Sequence, residues 1–435
     1  MDDFDSIDYF TDEAVRTDPY PYFDYLRAKC PVLPGVVTGV TAVTGYEEAI
    51  ATYKSPALSA CNAVVGPFAP LPFEPEGDDI TEQLEAFRAQ IPLADHITNM
   101  DAPEHTRSRG LLNRLITPKR LRENEEFMWR LADECLDQMI AAGTACEFVA
   151  DFAKPFTLVV IADLLGVPAE DHDSLRASLR PGMEKGISEG TAHNPLMWIE
   201  AQFSDYIAQR RDEPRNDVLS QLAAAEYPDG TVPEVDEVVK LATLVFAAGL
   251  ETTVKLLSAS IRHLAEDPAM QRRLRDDRTL IPSFLEETLR LESPVKTHFR
   301  LARQSTEIGG CPVSAGTTLM LLPGAGNRDA RKFDDPNAFR LDRPNVREHL
   351  AFGRGAHSCP GAPLARAEAK IAINRILDRM RDISIAEDVH GTAESRSYEY
   401  EVPFVLRGLA ELHVNFTLSA DKNDHRPPGP MQAAG

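Results

Sequence analysis

Residues 233 to 267 carry the longest uninterrupted helical pattern in the chain: Pro233 suits a first helical position, Pro268 ends the pattern, and no proline lies between. At about 1.5 Å per residue, these 35 residues would span roughly 50 Å. The segment is apolar on most sides, so it predicts a central helix around which the rest of the molecule packs. In its middle, "VFAAGLETTVKLL" gathers Gly249, Glu251, Thr252 and Thr253. Polar groups at the centre of a buried helix need a reason to be there.

Apolar residues also recur at helix spacing over 124–142, 196–211, 281–291 and 362–381, whereas strand-like runs are short and confined to 36–43, 299–321 and 398–418. The pattern predicts a mainly α fold with small peripheral β-sheets. No Gly/Ser-rich or Pro-rich linker breaks the chain before about residue 415, so 1–418 is expected to form one domain. The tail 419–435, "SADKNDHRPPGPMQAAG", has little to bury and is expected to be disordered. Residues 60–100, rich in proline with "GDD" and scattered aromatics, are expected to form a substrate-gating loop.

A formal charge of −22, from 46 Lys+Arg against 68 Asp+Glu, argues against nucleic acid or an anionic membrane as partner. No stretch approaches the roughly 20 apolar residues of a membrane span, and the acidic start "MDDFDSIDYF" is unlike a signal peptide, so a cytoplasmic protein is expected. From Arg107 to Arg122 there are six basic residues and no acid, Arg107, Arg109, Arg114, Lys119, Arg120 and Arg122. Such a run suits a solvated helix face and a docking patch equally well.

The six cysteines, Cys30, Cys61, Cys135, Cys146, Cys311 and Cys359, form no CxxC or CxxCH pattern, which removes a zinc knuckle, a dithiol pair and a covalently attached haem. Cys359 stands apart because of its surroundings, "AFGRGAHSCPGAPLAR". Gly353 and Gly355 permit positive φ and close backbone approach. Pro360 suits a helix start, leaving the amides of Gly361 and Ala362 free to point at the sulfur and stabilise a thiolate. The segment reads as a thiolate held against a cofactor face. An inert packing cysteine would leave the glycines unexplained. A nucleophile with His357 as base would bury Cys359 under its own loop, and a dinucleotide loop would need a glycine where Ser358 stands.

"FGRGAHSCPGAPLAR" resembles the haem-binding loop of cytochrome P450, with Phe352, Gly355, Cys359 and Gly361 at its fixed positions. Further matches follow in family order: "DAPEHTRSRGLL" with His105 and Arg109, "FAAGLETT", "EETLR" with Glu287 and Arg290, and "HFRLAR" with Arg300. "TDPYPYFDYLRAKCPV" and "VLRGLAELHV" are similar to the family's two ends, so the resemblance covers nearly the whole chain. Leu250 and Glu251 stand where His or Gly followed by Asp is more usual.

The resemblance implies a cytochrome P450 fold, with haem b (iron protoporphyrin IX) between the long helix and the Cys359 loop. Cys359 would be the iron ligand. Phe352, Gly353 and Gly361 would lie against the haem from below and Ala248 and Gly249 from above, Gly249 also giving dioxygen room and a place for the helix ladder to open. His105, Arg109, Arg300 and His357 would pair with the propionates, which are costly to bury alone. Glu287 and Arg290 would buttress the loop. Thr252 would act on the oxygen-activating side of the haem, with Glu251 relaying protons from solvent.

By position, the substrate pocket is expected to draw on Ile91, Leu93, Ile97, Val245, Ala248, Gly249, Val295, Lys296, His298, Val405 and Leu406. Mostly apolar walls imply an apolar substrate: a terpenoid, steroid, fatty acid or polyketide. Lys296 either meets a substrate carboxylate or carbonyl, or snorkels to a propionate or water; His298 is expected to pair with a propionate. The resemblance implies a monomeric monooxygenase that hydroxylates or epoxidises its substrate. Electrons would come from NAD(P)H through a ferredoxin reductase and an acidic ferredoxin, docked near Arg107–Arg122 and the Cys359 loop. Two alternatives stay open: a peroxide-using peroxygenase or isomerase on the same fold, and a non-catalytic haem protein that binds a ligand.

Overall fold

The computed structural model of the protein describes residues 4–37, 39–172, 174–175, 196–227, 229–401 and 405–419. Apart from Ser419, the tail expected to be disordered lies outside the described residues.

Seven helices position the site: α1 (Glu104–Leu115), α2 (Pro118–Ala141), α3 (Lys154–Leu165), α4 (Met197–Asp212), α5 (Val235–Glu266), α6 (Ile281–Glu292) and α7 (Ala362–Arg379). Helix α5 is the axis of the molecule, and α3, α4, α6 and α7 all pack against it. Its apolar face, Phe246, Leu250, Val254, Leu257 and Ile261, meets Phe156 and Ile161 of α3, Phe203 of α4 and Phe284 of α6 in one large core. With 32 residues, it extends about 48 Å.

Pro233 lies outside α5, which begins after a Glu234 N-cap, so the helix is shorter at its start than the proline position predicts. At the far end, Asp267 closes α5 and accepts from the Met270 N–H, which caps the next helix (Pro268–Asp276). By length and composition α5 would cross a membrane, contrary to the expectation that no stretch comes near; in this fold most of it is buried in the core.

Among the described residues, ten short strands flank the helices. A five-stranded sheet has the order β1–β2–β8–β5–β3, built from β1 (Val32–Val37), β2 (Val40–Val43), β3 (Leu58–Ser59), β5 (His298–Ala302) and β8 (Thr318–Leu321). Among its described pairs, β2–β8 is parallel and the others are antiparallel. β4 (Ala145–Glu147), β9 (Met380–Ile385) and β10 (His413–Leu418) form a second sheet, and β6 (Thr306–Ile308) pairs with β7 (Cys311–Val313). Sequence pattern does not predict β4 or β9, since the first has three residues and the second takes over where α7 ends at Arg379. The 60–100 segment is less irregular than expected, because Thr81–Phe87 is helical and Leu84 packs with Ile80, Ile91 and Leu301.

Strand β5 is the element through which sheet geometry reaches the site. Its alternation sends Phe299 and Leu301 into two apolar clusters, while His298 and Arg300 face the cavity described next.

Candidate active site

Enclosed by α1, α5, β5 and the segment 351–365 is a cavity of about 280 Å³. One wall belongs to the Cys359 loop. Gly353 and Gly355 adopt φ of 62° and 74°, and a Cβ on Gly355 would stand 2.8 Å from the Tyr53 carbonyl oxygen, so only glycine fits there without strain. The Cys359 N–H donates to the Phe352 carbonyl at 2.9 Å and closes the loop. Helix α7 starts at Ala362, later than Pro360 suggests, with Gly361 as its N-cap residue.

The Cys359 side chain opens into the cavity, yet protein surrounds it closely enough that burial raises its thiol. Against burial act the N–H groups of Gly361 and Ala362 and the charges of Arg109 and Arg366, all favouring a thiolate. A bound metal cation would complete that balance, since a coordinating thiol is deprotonated outright. Among the described residues no cluster of three or more His, Cys, Asp or Glu gathers to hold a metal, and Cys359 is the one cysteine that lines the cavity.

Around it converge groups that call for an anion. His105 and Arg109 lie one turn apart on α1, with His105 buried and its Nε2 without a hydrogen-bond partner. The His105 ring sits 4.0 Å from that of His357. Burial, with Arg300, His105 and Arg109 close by, pushes His357 down to about 3; burial and Arg300 do the same to His298, which meets the Tyr53 hydroxyl at 2.6 Å through Nδ1. Arg109 donates to Asn113 Oδ1 and the Ser358 carbonyl, and Arg300 to the Phe299 carbonyl. Neither guanidinium meets a carboxylate among the described residues. Two unpaired guanidiniums and an orphaned imidazole on one wall are costly unless a polyanion sits between them. Haem fits on both counts: its propionates supply the negative charge, and the Cys359 sulfur supplies a soft iron ligand.

Behind the loop lies a dense charge network. Glu287 and Arg290, fully buried on α6, pair through two 2.8 Å hydrogen bonds. Arg343 adds two more at 3.0 and 3.1 Å, and the Arg340 N–H a further one at 3.0 Å. Sequence reasoning singles out Glu287 and Arg290 but not Arg343, 56 residues on, whose register no local pattern fixes. The neighbouring Glu286 was missed as well: it accepts from Arg366 and meets His349, and Arg366 lies 4.6 Å over the Phe352 ring. Burial pushes Glu286 up, but Arg366 and His349 outweigh it and hold the carboxyl down at about 2.

On α5, Thr252 lines the cavity and its hydroxyl donates to the Ala248 carbonyl at 2.9 Å. Glu251 turns away to Lys255, 3.1 Å from its ammonium. Gly249 faces α3, where a Cβ would stand 3.1 Å from Ile161 Cδ1, and the helix runs unbroken past it with no opened turn.

Of the expected pocket residues, Ile97, Val295, His298 and Val405 line the cavity. Val245 packs on the core, and Ala248 stands outside the lining; Leu244, Thr252 and Leu256 carry that helix face instead. Ile91 is committed to the Ile80–Leu84 cluster, and Leu93, at φ 61°, turns the chain without reaching the lining. Lys296 points out of the cavity, its ammonium 5.8 Å over the Tyr9 ring, and Leu406 pairs by backbone with Val295. Ala63, Val64, Thr98, Pro294 and Thr297 also line the cavity. An i, i+4 reading through Thr252 would have found Leu244, but no pattern marks Ala63 or Val64.

The family model for cytochrome P450 matches residues 199–382. Cytochrome P450 109 of Bacillus spizizenii is 31% identical over 416 residues, spanning 93% of each chain. In three dimensions, substrate-free cytochrome P450 CYP150A6 of Mycobacterium marinum covers 96% of this chain and 100% of its own, with a TM-score of 0.88 at 56% identity. P450BioI, solved in complex with hexadec-9Z-enoic acid ligated acyl carrier protein, covers 92% of this chain and 98% of its own, with a TM-score of 0.77 at 30% identity. Likeness over nine-tenths of the length, around a cavity that a haem thiolate fits, leads to one conclusion: the chain belongs to the cytochrome P450 family and is a haem b-binding monooxygenase.

Proposed function

We propose that this P450 monooxygenase hydroxylates or epoxidises an apolar small molecule of the terpenoid, steroid, fatty acid or polyketide class. The observation that carries the reading is the asymmetry of the cavity. Its polar and thiol groups, Arg109, Arg300, His105, His357 and Cys359, stand together, while Ala63, Val64, Ile97, Leu244, Val295 and Val405 leave much of the remaining wall apolar. Such a wall holds a substrate by desolvation, with few polar groups to orient it. Thr98 is one of these, a hydroxyl that lines the cavity and has no hydrogen-bond partner among the described residues. The fatty-acyl ligand of the P450BioI complex belongs to the same apolar class.

Haem b, when bound, supplies the redox-active iron at which dioxygen is activated. The residues supply the rest. Cys359 Sγ ligates the iron; Arg109, Arg300, His105 and His357 hold the propionates; Phe352, Gly353 and Gly361 keep the loop close. Thr252 Oγ1 rests on the Ala248 carbonyl and turns to pass a proton into the cavity, and Glu251, 16% exposed, takes that proton from solvent and returns to its ionised form after handing it on. The apolar wall keeps bulk water out.

Electrons come from NAD(P)H through a ferredoxin reductase and an acidic ferredoxin. Arg107, Arg114, Lys119 and Arg122 are exposed on α1 and the start of α2, and Arg109 of the same helix holds the Ser358 carbonyl next to Cys359. The patch therefore lies on the thiolate side, where a docked acidic carrier is steered by charge and brought near the iron ligand. Residues 1–418 act as one catalytic domain, a monomer working in the cytoplasm.

The test begins with the absorption spectrum of the dithionite-reduced protein with and without carbon monoxide. A strongly red-shifted Soret band is expected, followed by spin-state shifts with apolar ligands and turnover that requires NADH and both redox partners. A histidine-type band, or turnover with peroxide alone, would overturn the proposal.

A further inference from the structure

Glu251 carries one more methylene than the aspartate usual at its position, so something must select where its carboxylate points. Lys255, one turn along α5, does so. Its side chain is 1% exposed, and its ammonium lies 3.1 Å from Glu251 Oε2 and 2.6 Å from Glu401 Oε2. Room for the lysine stem exists because residue 408 is glycine: a Cβ there would stand 2.2 Å from Lys255 Cγ. The Glu401 N–H donates to the Gly408 carbonyl at 3.0 Å, so the glycine that makes room for the lysine stem also holds the backbone of the second carboxylate, and nearby Val405 lines the cavity.

An i, i+4 glutamate–lysine pair on an exposed helix face would mean little. Here the ammonium is buried, and a buried ammonium left without a carboxylate is strongly disfavoured. With a single partner, Glu251 could not leave it. With two, and the shorter contact belonging to Glu401, Glu251 is the one free to go.

We infer that Lys255 is a positioning residue for proton delivery: it parks the Glu251 carboxylate, and Glu401 shares its ammonium so that Glu251 can swing to Thr252 without stranding a buried charge. The inference rests on the reading above that Glu251 carries protons to Thr252. Only a proton moves: it leaves Glu251 Oε for Thr252 Oγ1, which passes its own proton on, and the carboxylate returns to Lys255 to be reprotonated from solvent.

The experiment uses the haem-loaded enzyme with its redox partners and follows kcat, KM, the solvent isotope effect and the thermal midpoint. Glu251→Gln should lower kcat by about 10²-fold, the scale of a general acid–base group. Glu401→Gln leaves Lys255 with one carboxylate and so locks Glu251 in place. It should lower kcat about tenfold, near the lower end of what one hydrogen bond to a charged group is worth, with KM unchanged and a larger solvent isotope effect. Adding Lys255→Met to Glu401→Gln removes the lock and should recover part of the loss, which a structural role would not do.

If Glu401→Gln stays within about twofold of the parent while Glu251→Gln is slow, the inference falls and the proton-carrying role stands. A double variant slower than Glu401→Gln alone, with a lower thermal midpoint, also overturns it by making the pair structural. Unimpaired turnover in Glu251→Gln would remove the underlying reading, and the inference with it.

Discussion

The wall that carries Cys359 and the wall made by residues 60–100 and Val405 enclose the same cavity, but they are held in different ways. Behind the cysteine, the buried Glu287, Arg290, Arg343, Glu286 and His349, with the partly exposed Arg366, form multiply bonded ion networks that fix the loop from several directions. The opposite wall is tied by scattered contacts between separate segments: Asp101 accepts from the Ala60 N–H, His96 meets Glu200 at 3.0 Å, the Val405 carbonyl accepts from the Lys296 N–H at 2.9 Å, and Arg407 meets Glu292 at 3.0 Å, while the Ile97 and Val64 side chains meet the cavity by packing. A buried ion network is intolerant of single changes, because each partner removed leaves the others uncompensated. An apolar wall tolerates exchange at a cost that scales with volume. Chemistry common to a whole family can sit on the first wall while substrate preference varies on the second.

The contrast can be broken most severely at Glu287. Replacing it with Ala strands Arg290 and Arg343 inside the protein, and the loss should be about 3–5 kcal/mol, enough to abolish the red-shifted Soret band of the carbon monoxide complex along with folding. A Glu287→Ala protein with a normal spectrum would mean that the network is ornamental.

Glu286→Gln should cost nearly as much, and its signature is the pH dependence. In the folded protein the carboxyl is held at about 2 against an ordinary value of 4.5. Its contribution, about 3 kcal/mol, is therefore complete above pH ~4.5 and lost as pH falls towards ~2. Denaturant midpoints of parent and variant should differ by a constant amount at neutral pH and converge only on acidification; convergence on raising the pH would contradict the assignment.

On the apolar wall the effects should be smaller and should spare the haem. Ile97→Ala should keep the thiolate spectrum and weaken substrate affinity, read by spin-state titration, about tenfold. If it instead destroys the spectrum, the two walls are not independent.

Smallest is the outer surface. Lys119→Glu with Arg120→Glu should slow electron transfer from an acidic ferredoxin a few-fold at low salt, with the gap closing as salt screens it. A gap that persists at high salt would favour a packing defect over steering.

How much of this was legible beforehand follows the same division. The long helix, the glycines around Cys359, and His105 with Arg109 at one-turn spacing stand in the sequence because each obeys a local rule, a period or a φ requirement. Arg343 and His349 reach α6 across 56 and 63 residues, and a three-residue strand such as β4 lacks the length for any period. Direction of side chains was the other loss. Lys296 and His298 are two apart, yet one ammonium lies over Tyr9 while the other ring faces the cavity, an outcome decided by tertiary neighbours.

That contact with Tyr9 has a practical meaning. The Tyr9 hydroxyl lies 3.0 Å from Thr297 Oγ1, and Thr297 lines the cavity. An affinity tag spliced into the first dozen residues, or a shortened expression variant that drops them, would thus edit the catalytic chamber itself, and activity profiles gathered on such proteins would describe a different enzyme.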